Sequence, residues 1–293
     1  ALAVEFLCTL ALAQMWNLLA GYGGLLSVGQ QAFVGLGAYS LVVLGLQAGL
    51  SAFVVVPLAG LVGAAAAVLV APLMFRLRGA HFAVGTWVMA EVFRLVVANL
   101  PMVSGGSGVS VARTVMGMDA ATRSALTLWW ALALGAGSTL AVYLLLRSRW
   151  GLALVAVRDS ERAAQSLGLS VGRVKWFVWV AAAAGCAMVG ALLFVTKLRV
   201  APDPAFSIDW TTLMFFIVVI GGIGTLEGPI LGALVYFALR EWLADLGSVY
   251  LIVLGLVTMV MVLFFERGLW GLLAERTGWR LFPVQRRAAT PRR

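Results

Sequence analysis

The sequence is poor in charge, histidine, cysteine and lysine, and each scarcity removes a class of function. Charged residues fill 11% of its 293 positions, less than half the share of about 25% found in soluble domains. A water-soluble enzyme or binding module is thereby excluded. The only histidine is His81, and Cys8 and Cys186 both sit inside apolar runs. That inventory builds neither a disulfide framework nor a zinc site, and no metal site is expected. The lysines are Lys175, which follows Val174, and Lys197, which follows Thr196. A P-loop requires a Gly-Lys dipeptide, so ATP hydrolysis is not expected in this chain. No nucleophile–base constellation is visible either.

What the sequence has is apolar length. Hydrophobic residues make up 62% of the chain and the mean hydropathy is +1.02. They form runs at 1–20, 25–46, 52–75, 80–100, 124–146, 176–196, 211–240 and 249–265, most of them near the ~20 residues that cross a bilayer as a helix. The run 52–75 is apolar on every side, unlike the alternating segments of about 10 residues in a membrane β-barrel. The reading is an all-α polytopic transmembrane bundle of about 8–9 membrane segments, some broken or half-length. Residues 1–266 form the transmembrane domain and 267–293 a basic tail. The chain opens without a basic n-region, so no cleavable signal peptide is expected.

The net charge of +9 reflects orientation in a membrane, not nucleic acid. Arg147, Arg149, Arg158, Arg162, Arg173 and Lys175 crowd 147–175, and further arginines fill 267–293. Basic residues beside helix ends mark the cytoplasmic side, which places 147–175 inside. Counting crossings puts 101–123 and 197–210 outside and Arg76 and Arg78 inside. A single crossing by 211–240 would carry the arginine-rich tail outside, against the rule. That run is interrupted by Gly221-Gly222-Ile223-Gly224-Thr225-Leu226-Glu227-Gly228-Pro229. Two half-length helices around the break would return the chain to the outside and let 249–265 deliver the tail to the cytoplasm. Non-helical backbone at membrane depth is tolerated only inside protein or along an aqueous cavity, so the break is a candidate lining of a pathway. A second glycine-rich stretch runs from Ser27 through Gln30 and Gln31 to Tyr39.

The charged insertion has its own local logic. Asp159 or Ser160 caps a helix start, Glu161 suits the positive end of the helix dipole, and Gly168 ends the helix. Ala163, Ala164 and Leu167 give it a small apolar face. Ser170 is read as the cap of the next membrane helix. A helix this short buries little by itself, and docking into a partner is one role for it; a solvated loop helix is the other.

At these residues the sequence resembles a known family. Glu161, Ala163-Ala164 and then Gly168 look like the Glu-Ala-Ala…Gly coupling motif of ABC importer permeases. The string from Ala156 through Arg158, Asp159, Glu161, Arg162, Leu167 and Gly168 is similar to the M-type branched-chain amino acid permeases. Leu26-Ser27-Val28-Gly29 through Tyr39, the stretch from Arg76 to Glu91 and Arg94, Ser104-Gly105-Gly106, and the glycine break match in the same order. The sequence departs from the family at His81, where an aromatic is usual, and near Gln30 and Gln31. It is also short before the first motif, and an initial helix is expected to precede it.

The resemblance implies a complex. A homologous H-type permease, two cytoplasmic ATPase subunits that bind ATP and Mg, and a periplasmic substrate-binding protein would complete an importer in the bacterial inner membrane. This chain would hold no cofactor and would contact membrane lipid. Coupling to the ATPases falls to Arg158, Asp159, Glu161, Arg162, Ala163, Ala164, Leu167 and Gly168. Because polar groups inside a membrane are expensive, the pathway candidates are Ser27, Gln30, Gln31, Tyr39, Glu91, Gly221, Gly222, Gly224, Thr225 and Glu227. The competing reading is an ion-coupled secondary transporter using Glu91 or Glu227, which leaves the capped cytoplasmic helix without a role.

Overall fold

The computed structural model describes residues 2–103, 107–243, 249–264 and 268–277. The motif at 104–106 and most of the basic tail lie outside the described residues. In chain order the helices are α1 (Leu2–Asn17), α2 (Gln31–Ser40), α3 (Ala52–Met74), α4 (Ala80–Asn99), α5 (Ala120–Arg147), α6 (Arg149–Asp159), α7 (Glu161–Ser166), α8 (Val171–Lys197), α9 (Pro202–Ala205), α10 (Asp209–Gly221), α11 (Gly228–Trp242), α12 (Val249–Phe264) and α13 (Gly268–Thr277). α1 and α2 each continue into a π-helical turn, Leu18–Tyr22 and Leu41–Gln47. Among the described residues, six helical stretches are long and apolar enough to cross a membrane: Leu2–Tyr22, α3, α4, α5, α8 and Pro202–Gly221. The protein is a multi-pass helical membrane protein.

α8 is the axis of the bundle. In its most apolar stretch 72% of residues are buried, against 22% in α5. Small residues let its neighbours close on it, as is usual where lipid supplies no hydrophobic drive between helices. A Cβ on Gly37 of α2 would strike the Ala187 carbonyl, and one on Gly63 of α3 would lie 2.9 Å from the Ala183 carbonyl. Trp179 is fully buried among Phe33, Phe75 and Phe82, and its indole N–H donates to the Ala67 carbonyl at 3.1 Å.

The charged insertion and loops sort to two ends of the bundle. One end gathers Arg78, α7 and the chain at 24–26 around a cavity of about 600 Å³. The other gathers Glu5, Arg123, Lys197 and Trp210 around one of about 830 Å³. At that second end β1 (Val109–Ser110) and β2 (Arg199–Val200) form a two-stranded antiparallel pair, Val109 opposite Val200. Asp119 caps α5 there, and hydrogen bonds from Thr122, side chain first and then backbone, hold its carboxyl below the ordinary range.

Three sequence expectations need correction. The run 25–46 is not one helix, because residues 23–30 are non-helical and α2 begins at Gln31. The insertion holds a further helix, α6, ahead of the short α7. Ser170 makes no side-chain capping bond to α8, which starts at Val171.

Candidate functional site

The run 211–240 is a helical hairpin. A Cβ on Gly221 of α10 would strike the Gly228 carbonyl of α11, and one on Gly232 would strike the Ile217 carbonyl. The pairs 221 with 228 and 217 with 232 have one constant sum, which is the register of two antiparallel helices. Between them, Gly222 at φ 131° and Gly224 at φ 74° take backbone angles that side chains with a Cβ rarely adopt. Thr225 braces the turn: its hydroxyl donates to the Gly222 carbonyl at 2.7 Å and accepts from the Gly228 N–H at 3.0 Å. Gly268, after α12, approaches so closely that its Cβ would meet the backbone of Gly222.

α1 holds this break in place with two amides that sequence reasoning missed. The Asn17 side chain donates to the Thr225 carbonyl at 2.8 Å and accepts from the Gly224 N–H at 2.9 Å. One turn earlier the Gln14 amide donates to the Leu226 carbonyl at 2.9 Å. Both side chains are fully buried. The signal was available: two polar residues three apart, on one face of an otherwise apolar membrane run, mark a polar contact. Glu227 is also buried, at the foot of α11.

Residues 23–30 form another interruption, also held by α1. After the π-helical turn the chain doubles back beside α1, with the Leu25 N–H donating to the Leu19 carbonyl at 3.0 Å. The Trp16 indole N–H donates to the Ser27 carbonyl at 2.9 Å. The Val28 N–H donates to the Thr86 hydroxyl of α4 at 3.1 Å, and the Gly29 N–H to the Ser27 hydroxyl at 3.2 Å. At the start of α2, the Gln31 N–H donates to the Thr211 hydroxyl of α10 at 3.2 Å, and that hydroxyl donates back to the Gln31 side-chain carbonyl. Gln30 is fully buried and its amide reaches the Ser27 hydroxyl at 3.4 Å. Thr86 and Thr211 went unrecognised in the sequence because threonine is common in apolar helices.

The pathway candidates thus divide. Ser27, Gln30, Gln31, Gly221, Gly222, Gly224, Thr225 and Glu227 belong to the two interruptions, and α1 carries side chains that hold both. Tyr39 lies further along α2, stacked on Phe206 with ring centroids 5.9 Å apart. Glu91 stands apart on an uncovered face of α4, where both its oxygens lie 3.0 Å from Arg94 Nε. Among the described residues there is no group of three or more His, Cys, Asp or Glu placed to hold a metal ion.

The coupling candidates form a compact surface. Ser160 caps α7, its hydroxyl accepting from the Ala163 N–H at 3.2 Å, and Glu161 in the first turn pairs with Lys175. The helix closes in a Schellman arrangement: Leu169 N–H donates to the Ala164 carbonyl at 3.0 Å, Gly168 N–H to the Gln165 carbonyl at 2.9 Å, and Gly168 has φ 78°. Of the expected apolar face only Ala164 turns inward; Ala163 is exposed and Leu167 is 77% exposed. Arg162 lines the cavity shared with Arg78 and residues 24–26. Arg158, at the end of α6, reaches Asp159 with Nε at 3.0 Å and the Gly21 carbonyl with Nη1 at 3.2 Å. The same Nη1 lies 3.4 Å from where a Cβ on Gly224 would stand. Arg158 of the insertion therefore lies beside the glycine break.

A family model described as "Branched-chain amino acid transport system / permease component" matches residues 1–264. The high-affinity branched-chain amino acid transport system permease protein LivM of Salmonella typhimurium is 30% identical over 279 residues, covering 86% of this chain and 65% of LivM. LivM of Escherichia coli K12 is 29% identical over 278 residues, with the same coverage. The chain thus spans 65% of the length of these curated relatives. No solved structure matches it.

Proposed function

The chain belongs to the family of branched-chain amino acid transport system permease components, and from that membership we propose that it is the M-type permease subunit of an ATP-driven importer in a bacterial inner membrane. It moves leucine-type amino acids by alternating access. A homologous H-type permease stands beside it, two ATPase subunits that bind ATP and Mg dock on the end carrying α6 and α7, and a substrate-binding protein delivers the solute to the opposite end.

The observation that carries the reading is the bond from Arg158 to Gly21. It ties the basic insertion to the foot of α1, and α1 in turn holds both interrupted segments through Gln14, Trp16 and Asn17. ATPase closure that displaces α6 and α7 is passed through Arg158 to the turn at 21–24 and to the glycine break. Interrupted helices form the substrate sites of many transporters, around which the rest of the bundle rocks, and this supports placing both segments beside the path. Arg162, Glu161 and the exposed Leu167 offer the ATPase a docking surface, with the Schellman turn at Gly168 fixing its end.

Leucine uptake into vesicles containing the whole transporter tests this. Uptake should require ATP on the ATPase side, persist when ionophores collapse ion gradients, and fall strongly in Arg158→Ala while the subunits still co-purify. Uptake driven by a proton or sodium gradient without ATP would sink the reading in favour of an ion-coupled transporter.

A further inference from the structure

The cavity of about 830 Å³ lies at the end of the bundle away from α6 and α7, where helices begin or end. Glu5 stands in the first turn of α1, Arg123 in the first turn of α5 and Trp210 at the start of α10, while Lys197 is the last residue of α8. Thr9 of α1 lines it more deeply, about 10 Å of helix rise beyond Leu2. The cavity therefore spans the depth at which a bilayer passes from headgroups to the tops of its acyl chains.

Its charge is unbalanced. Glu5 is engaged by Arg240, and Asp119, one turn before Arg123, spends its carboxylate capping α5. Among the described residues neither Arg123 nor Lys197 belongs to an ion pair. The Lys197 ammonium is held instead over two rings, 4.7 Å from the centroid of Trp210 and 5.1 Å from that of Phe194. Aromatic faces hold a cation in place without cancelling its charge. Below these cations the walls are apolar, with Leu128, Leu193 and Leu213 among them. On the α5 side the lining residues Ser124, Ala125 and Leu128 are exposed, so the cavity opens along a helix that is 22% buried in its most apolar stretch.

We propose that this cavity binds an anionic phospholipid of the leaflet away from α6 and α7. Arg123 and Lys197 hold its phosphate, and the first carbons of its acyl chains lie against the leucines. A guanidinium and an ammonium are both suited to phosphate oxygens. A free anion would use the cations but leave the apolar walls wet. A zwitterionic lipid brings an ammonium of its own, which two unpaired cations repel. The proposal needs only the membrane bundle and is independent of the permease reading.

Photo-labelling of the whole transporter in phosphatidylcholine nanodiscs tests it. The probe is phosphatidylglycerol with a diazirine high in one acyl chain, and labelled peptides are mapped by mass spectrometry. Label should concentrate on 121–128 and 193–198, and excess unlabelled phosphatidylglycerol should remove it. Inorganic phosphate and leucine should not. Arg123→Gln and Lys197→Gln should each lower the labelling about fivefold, and together about 25-fold. Arg113→Gln, at an exposed arginine outside the cavity, should match the parent. Gel filtration confirms that the variants stay folded, and the displacement experiments on the parent decide the matter if one does not. Label spread evenly over the apolar helices, equal label from a phosphatidylcholine probe, or variants that label like the parent would overturn the proposal. Displacement by inorganic phosphate or leucine would also overturn it, making the cavity a site for a soluble anion.

Discussion

The two interruptions at 23–30 and 222–227 solve one problem in different ways. Each exposes backbone N–H and carbonyl groups that a membrane interior leaves unsatisfied at a cost of several kcal/mol apiece. The first is held mainly by hydroxyls, those of Ser27, Thr86 and Thr211, together with the Trp16 indole. The second is held by the amides of Asn17 and Gln14 and by the close fit of Gly221, Gly228, Gly232 and Gly268. Each of those hydroxyls accepts from one backbone N–H of its segment, whereas the Asn17 amide serves two backbone groups of the glycine break, one as donor and one as acceptor. The second interruption therefore rests most heavily on one side chain, Asn17.

The largest effects should come from filling the close approaches that both segments need. A Cβ at Gly221 strikes the Gly228 carbonyl and one at Gly29 strikes the Thr86 carbonyl. Overpacking usually costs about 1–3 kcal/mol, and collision with backbone puts Gly221→Val and Gly29→Val at or above the top of that range. Both should lower the thermal unfolding midpoint in detergent steeply, or prevent recovery of monodisperse protein. Gly137→Val on α5, where a Cβ meets nothing within 4 Å, should behave like the parent. Equal behaviour of all three would mean that the glycines do not set the packing.

Next in size is Asn17→Leu, which strips partners from the Gly224 N–H and the Thr225 carbonyl together. Asn17 is fully buried, so on its side of the break no water replaces the lost amide, and a buried polar group left unsatisfied costs about 1–3 kcal/mol. Asn17→Leu should therefore destabilise more than Gln14→Leu, which abandons only the Leu226 carbonyl. At the first segment, Thr86→Val removes the acceptor of the Val28 N–H alone and should resemble Gln14→Leu, with Thr86→Ser restoring stability. If Thr86→Val equals Asn17→Leu, the contrast between shared and single partners is wrong.

The difference between the segments also governed what could be read from the sequence. The second was legible because it needs glycine where φ is positive, at Gly222 and Gly224, and because charge asymmetry required a return crossing. The first was read as helix from residue 25, because Leu25, Leu26 and Val28 are as apolar as any helical run. Its irregular path is enforced by Thr86 and Thr211, far away in sequence, and no local signal reports such partners. The coupling surface was legible down to the Ser160 cap and the Gly168 stop, since those motifs are local. Its link to the core through Arg158 depends on Gly21 lying beside it, which is a property of the assembled bundle.

The smallest expected effect sharpens the comparison at the local braces. Ser27 and Thr225 play parallel parts, each accepting a backbone N–H a few residues ahead: Gly29 for Ser27 at 3.2 Å and Gly228 for Thr225 at 3.0 Å. Thr225 makes the richer set, since it also donates to Gly222, so a count of bonds ranks Thr225→Val as the more damaging change. Burial reverses that ranking. Ser27 is fully buried, so Ser27→Ala leaves the Gly29 N–H with no access to water and should cost about 1–2 kcal/mol. Thr225 is only half-buried beside the exposed Ile223, so water entering from the basic end can replace both lost bonds at nearly the same enthalpy. Thr225→Val should therefore cost less than about 1 kcal/mol, and the two variants are separable by their unfolding midpoints in detergent. A larger loss for Thr225→Val would show that the glycine break is as dry as the first segment, and would remove water access from the account of how the two differ.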